Sequence, residues 1–398
     1  MTSRVGQGPL AEVRVIEFPA LGPVPFAGML LADLGAQVIR IDRPEGVDAR
    51  PPTALERVLT GSDTLARSRQ RITLDLKAPQ ASALVTTLAR NADVVLEGFR
   101  PGVADRLGIG AAALTAANPQ LVYTCVTGWG HIGVLSQVPG HEFTYLSAAG
   151  TVAALAPGSV PPLGSVGDLP AGMLAVIGTL AALTERSVSG QGQVVDTSIF
   201  DAALLNATID RFVRTRDGWG PPGTNALDGG SHYYRSYRTS DDRWVSFGAI
   251  EAKFHDGMLR GLEIEPASVD QHDSARWPEV SHRIERIIGS EPLQHWVDVF
   301  ADVETCFAPV LTHEEVAAHP YLGRRMSVVE ADGGVAAAPS PQLSRTPPPA
   351  PRPVRPAGAD TVAVLQAAGL TVEQIGELLR DGVARQATTT PEEEGDGA

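Results

Sequence analysis

At 398 residues and 43% hydrophobic content, the chain exceeds one ordinary core, so two or three packed units are expected. A formal charge of -14 excludes nucleic acid as the main partner, because gripping a phosphate backbone needs surplus Lys and Arg, and an anionic ligand must instead meet a local arginine cluster. The two cysteines, Cys125 and Cys306, are too few for a disulfide framework; each sits in a strand-like apolar run that reads as a buried thiol, and a reducing cytoplasm is expected.

The opening MTSRVGQGPLAEVRV has no apolar core of signal-peptide length, and the charge-free stretches 107–141 and 143–167 are broken by Gly, Pro and polar residues. Neither export nor a membrane span is expected. The first half then alternates β-branched runs with helical patterns: VRVIEF (13–18), a helix over 25–34, QVIRI (37–41), RITLDL (71–76), a helix near 80–91, DVVLEGF (93–99) and QLVYTCV (120–126). This βαβ rhythm predicts a doubly wound, mostly parallel α/β sheet of Rossmann type. A helix after Asp168, to about residue 186, and a strand passing into a helix over 193–205 complete a large domain at 1–220.

After the turn-rich 217–230 the grammar changes to a hairpin, with its turn at Ser240–Asp242, and predicts a small α+β domain at 221–315. The proline-rich 339–360 is expected to lie extended, as a strap between bodies, within a C-terminal segment at 316–385. Two short helices follow it, with Thr371 as N-cap and Gln374 as capping-box partner. Residues 386–398 are expected to be disordered.

GWGHIG (128–133) matches GxGxxG, but a dinucleotide fold needs a helix starting inside the glycines, and VLSQVPG follows, so a loop is expected. PGHEFTY (139–145) delivers His141 and Glu142 to a helix start, where the dipole disfavours a charged imidazole and leaves a proton acceptor. Read alone, His141 is equally a surface or N-capping histidine. Asp168 in GDLPA reads as an N-cap, a catalytic carboxylate, or both. Glu251, before a helical segment, reads as a cap or as an active-site group from the second domain. Arg40, Arg43, Arg67, Arg69, Arg71, Arg100 and Arg106 fall at strand ends and loops, where they can recognise phosphate or simply edge the surface.

The order of ADLGAQVIRIDRP (32–44), LDLK (74–77), EGFRPGVADRLG (97–108), TGWG (127–130), GQGQVVD (190–196), LDGG (227–230), GAIE (248–251) and SRT (344–346) resembles the family III CoA-transferase superfamily. Within it the chain is similar to the α-methylacyl-CoA racemases. The resemblance implies a large domain completed by the C-terminal segment, a small second domain and an interlocked homodimer, with no metal or redox cofactor. Coenzyme A enters as part of an acyl-CoA substrate.

It also implies that His141 and Asp168 are the proton-transfer pair, with Glu251 hydrogen-bonded to the histidine. Coenzyme A would be held by Arg43, by Leu74, Asp75, Leu76 and Lys77, by Gly98, Phe99 and Arg100, by Arg106, and by Gly140, Glu142, Phe143, Thr144 and Tyr145. Glu142 stands where the family usually has Asp, Val134 replaces a common proline, and Gly164 stands where racemases can carry an asparagine. The reaction implied is epimerisation of 2-methylacyl-CoA thioesters through an enolate, with amides at two helix starts facing the enolate oxygen. Two alternatives are CoA transfer through an aspartyl thioester at Asp168, since transferases keep that aspartate but generally lack the histidine, and non-catalytic acyl-CoA binding.

Overall fold

The β-branched runs of the first half become the parallel strands of a seven-stranded sheet, seen in a computed structural model that describes residues 7–44, 64–155, 158–216, 218–320 and 336–387. Strands β1 (Arg14–Glu17), β2 (Gln37–Asp42), β3 (Gln70–Leu74), β4 (Val94–Glu97), β5 (Val122–Thr127) and β6 (Val194–Ser198) run parallel in the order 3-2-1-4-5-6. Every residue of β4 and β5 is buried, as expected for central strands covered on both faces. The order reverses between β1 and β4, which opens a crevice beyond the carboxyl ends of the strands. The expected α/β class with a mostly parallel sheet is thus observed.

Beyond β3 lies β10 (Ala384–Arg385), antiparallel and supplied from the far end of the chain, with Leu74 opposite Ala384. It follows the helices Thr361–Ala367 and Val372–Arg380, the second opened by the expected capping box: Thr371 and Gln374 exchange hydrogen bonds at 2.8 and 3.3 Å. Most of 336–360 has no regular structure. It is fastened to the sheet: Ser68 and Arg352 exchange backbone and hydroxyl hydrogen bonds at 3.0 and 2.9 Å, and Asp360 accepts from the Arg71 amide at 2.9 Å. The expected disordered tail lies, from residue 388 on, outside the described residues.

The helix Asp168–Ser189 packs through small residues against the helix Pro23–Asp33, where Gly172 meets Pro23 and Phe26, and against β5 and β6, where its Thr179 hydroxyl bonds that of Thr124 at 2.8 Å. The Asp168 helix is long and apolar enough to cross a membrane by length and composition alone, a test that a core helix also passes, so the expectation of no membrane span stands. Cys125 is buried in β5, but Cys306 is exposed just before β9 (Phe307–Pro309), which corrects the expectation of two buried thiols.

Among the described residues, those up to 149, 161–207 and those from 336 on form one compact unit, and 150–160 with 208–320 form another. The division therefore falls earlier than residue 220. In the second unit β7 (Tyr234–Arg238), β8 (Trp244–Gly248) and β9 make an antiparallel sheet, and Asp242 in the expected turn takes a left-handed φ of 62°. Its aromatic core includes Tyr237, Phe247, Trp296 and Phe300. Under it His232 and His255 bring their Nε2 atoms to 2.8 Å, both rings buried.

Candidate active site

Two helix starts converge on Asp168 in the first unit. The helix Pro23–Asp33 follows Gly22, whose φ of 67° suits glycine, and a Cβ there would stand 3.1 Å from Oδ2 of Asp168. At the second helix the N-cap position belongs to Gly167, and Asp168 is the first helical residue, not the cap. The amides that such a start leaves without helical partners go to Glu142. Its Oε2 accepts from Gly164 at 2.7 Å, and its Oε1 accepts from Gly167 at 2.7 Å and from Val166 and Asp168 at 3.3 Å. Leu169 donates to the Gly164 carbonyl at 2.9 Å.

Glu142 thus has both carboxylate oxygens bonded to backbone amides and acts as a tertiary cap of the Asp168 helix. The same four bonds remove those amides as donors to an enolate oxygen.

Glu142 can do this because it opens the helix Glu142–Ala148, with His141 at the N-cap in an extended conformation. Thr144 Oγ1 accepts from the His141 amide at 3.1 Å and donates to its carbonyl at 2.7 Å. The preceding loop is pinned by Trp129, whose Nε1 donates to Val138 at 3.0 Å and whose ring meets the Tyr145 ring edge-on at 4.8 Å. Tyr145 fits because Gly140 and Gly128 have no Cβ; one at either position would press into its ring. GWGHIG is a loop, as expected, with no helix before Glu142.

His141 is exposed and Asp168 half-buried. Burial chiefly, and then the Glu142 carboxylate, push the Asp168 carboxyl up to about 6, while the nearby His141 draws it down. Burial and the same Asp168 charge raise the Tyr145 hydroxyl, and Arg100 lowers it. His141, Glu142, Tyr145, Arg100 and Asp168 therefore share one electrostatic neighbourhood. Glu251 belongs to the second unit, where it is the N-cap residue of the helix Ala252–Gly261; its side chain makes no capping bond and is exposed.

The residues expected to hold coenzyme A gather at the carboxyl edge of the sheet. Arg43 follows β2, Asp75 to Lys77 follow β3, and Gly98 to Arg100 follow β4, with Phe99 against Phe18 at a ring distance of 5.7 Å. Arg43, Lys77, Arg100 and Arg106 are exposed, as are Phe143 and Thr144. Leu74 is fully buried in the core, so its side chain cannot meet a ligand. Three other arginines are spent internally: Arg67 pairs with Asp33, Arg69 with Glu17 at 3.0 Å and Arg71 with Asp42 at 2.8 Å. The expectation of a broad phosphate-binding arginine edge narrows accordingly.

A family model described as CoA-transferase family III matches residues 10–361. The chain is 34% identical over 382 residues to alpha-methylacyl-CoA racemase of Mus musculus, covering 94% of this chain and 97% of that one. It is 30% identical to succinyl-CoA--D-citramalate CoA-transferase of Chloroflexus aurantiacus, covering 83% and 85%. Among solved structures, a hypothetical protein of Mycobacterium tuberculosis matches with a TM-score of 0.73 and 26% identity over 90% of this chain and 99% of that one. A CAIB/BAIF family protein of Brucella suis matches in fold with a TM-score of 0.78 at 22% identity, over 91% and 100%. With a family model spanning most of its length and relatives aligned almost end to end, the chain belongs to CoA-transferase family III.

Proposed function

We propose that this protein epimerises 2-methylacyl-CoA thioesters by moving the α-proton between His141 and Asp168. The observation that carries this reading is the Asp168 carboxyl, brought to about 6 beside His141. Burial raises Asp168 above an ordinary aspartate and so makes it a stronger base for a carbon-bound proton. One group removes the α-proton, leaving an enolate, and the conjugate acid of the other returns a proton to the opposite face. The racemase relative supports the substrate class, and the exposed Arg43, Arg100 and Arg106 suit the phosphates of coenzyme A.

In this reading Glu251 reaches His141 by hydrogen bonding in an interlocked homodimer. The exposure of Met173, Ile177 and Val188 along the long helix supports a partner surface. The test is deuterium uptake at the α-carbon in heavy water by a panel of 2-methylacyl-CoA thioesters. Uptake abolished in His141→Ala and Asp168→Ala is the expected result, and no uptake by the wild type across the panel rejects the reading.

The CoA-transferase relative supports a second reading, in which Asp168 attacks the acyl-CoA to form an anhydride and then carries coenzyme A as an aspartyl thioester. That chemistry predicts ping-pong kinetics with an acid co-substrate and persists in His141→Ala. Non-catalytic acyl-CoA binding predicts unchanged cellular function when both residues are replaced.

A further inference from the structure

The sheet edge holds a second cluster of reactive side chains that the proposed reaction does not use. Glu97 ends β4, Cys125 is its register partner on β5, and His131 lies in the turn after β5; one ligand atom from each falls within 4.8 Å of the others. Glu97 and Cys125 are both 2% exposed. The Phe99 amide donates to Glu97 Oε2 at 2.8 Å, and the remaining side-chain partner of this carboxyl is the Cys125 thiol. Nδ1 of His131 is buried without a hydrogen-bond partner, although Oδ1 of Asp196 stands 3.8 Å away. The His131 amide donates to the other Asp196 oxygen at 3.2 Å, which fixes the turn beside β6.

The charge here is mostly negative, with His131 as the counterweight. The charged groups that act on Glu97 are His131 and Asp105, and those that act on Cys125 are Glu97, Asp196 and Asp105. Burial pushes both the Glu97 carboxyl and the Cys125 thiol up, as it does for acids buried without a cation. A divalent cation would reverse both effects.

The geometry points to a structural zinc site formed by Glu97, Cys125 and His131. A carboxylate, a thiolate and an imidazole are the donor set that zinc favours, and soft sulfur disfavours calcium and magnesium. Tetrahedral zinc holds such donors about 3.5 Å apart, so the three atoms, within 4.8 Å of one another, would draw closer on binding. On binding, Cys125 gives its proton to solvent and the thiolate and carboxylate together neutralise the ion. Asp196 supplies the fourth donor or orients the imidazole. The ion would tie the 128–133 turn to β4 and β5. It departs from the expectation that no metal is present, and it does not depend on the racemase reading.

The test is equilibrium dialysis of the full-length protein against zinc chloride, followed by elemental analysis, with cobalt(II) as the optical probe. The wild type is expected to take up about one zinc per chain, to show a thiolate-to-cobalt charge-transfer band, and to melt higher with zinc than after chelation. Cys125→Ser is expected to lose the band, and His131→Gln to bind at least about tenfold more weakly and lose the zinc-dependent rise in Tm. If burial makes Cys125→Ser fail to fold, the half-exposed His131 carries the decision. No uptake by the wild type, or equal uptake and equal Tm response in His131→Gln, overturns the proposal.

Discussion

The amide of Gly164 donates to Oε2 of Glu142 at 2.7 Å, so the two positions flanking the candidate pair that depart from the racemase pattern are bonded to each other. Gly164 takes a φ of 76°, a conformation that an asparagine tolerates less readily, and it turns its N–H toward the carboxylate. The backbone leading into the Asp168 helix is thus held here by the acid at 142.

Replacing that acid therefore acts on Asp168. In Glu142→Gln one negative charge disappears and the oxygen acceptors fall from two to one. We expect kcat for α-proton exchange to fall about 10- to 100-fold with KM little changed. We also expect the acid limb of the pH profile to move to lower pH, because Glu142 raises the Asp168 carboxyl. A merely structural loss would lower kcat with the limb unmoved.

The wild-type pH profile is itself diagnostic. Exchange needs one proton shared by the pair, and the two ways of placing that proton carry the same charge, so both epimers should show the same bell. Its acid side should fall below about pH 6, where Asp168 takes up its proton, rather than near pH 4 as for an ordinary aspartate. The measurement is kcat/KM in both directions from pH 4.5 to about 9.

The buried histidine pair makes the second unit sensitive to acid. Burial chiefly, and then His255, lower His232 from 6.5 to about 3, and burial lowers His255. Between the folded and unfolded values the unfolded chain binds more protons, so stability is complete above pH 6.5 and is lost as pH falls toward 3. The slope is about 1.4 kcal/mol per pH unit for one such group. Urea midpoints at pH 7 and pH 5 should diverge in the wild type and diverge less in His232→Gln, where the buried His255 remains.

The arginine ion pairs separate folding from binding. Arg67 and Asp33 are each 2% exposed, so Arg67→Met leaves a buried carboxylate unpaired and should cost about 3–5 kcal/mol of stability. Arg67→Met with Asp33→Leu should recover most of it. Arg100→Met, at an exposed site, should leave stability unchanged and weaken coenzyme A binding, read by denaturant titration and calorimetry.

Much of the fold was legible because its signals are local. The β-branched runs at 14–17 and 94–97, the turn at Asp242 and the capping box at Thr371 each reside in a few adjacent residues. The site was legible to the extent that His141 and Asp168 stand at helix starts. The role of Glu142 was not, because its partners lie 22 to 26 positions away and are backbone amides that leave no mark on residue identity. The same holds for Arg67 and Asp33, 34 positions apart, and for the register that sets Glu97 beside Cys125. Cys306 misled because a short apolar run at a sheet edge looks the same in sequence as one in a core.

The strand β10 has a consequence for the order of events during synthesis. The open edge of β3 is a row of unpaired backbone groups until Asp360, Thr361 and Ala384 arrive, roughly three hundred residues later. A nascent chain emerging from the ribosome must hold β3 with that edge unprotected while those residues are made, which is when β3 is most exposed to pairing with another molecule. A stretch of chain made long after β3 is the one that closes the sheet on that side.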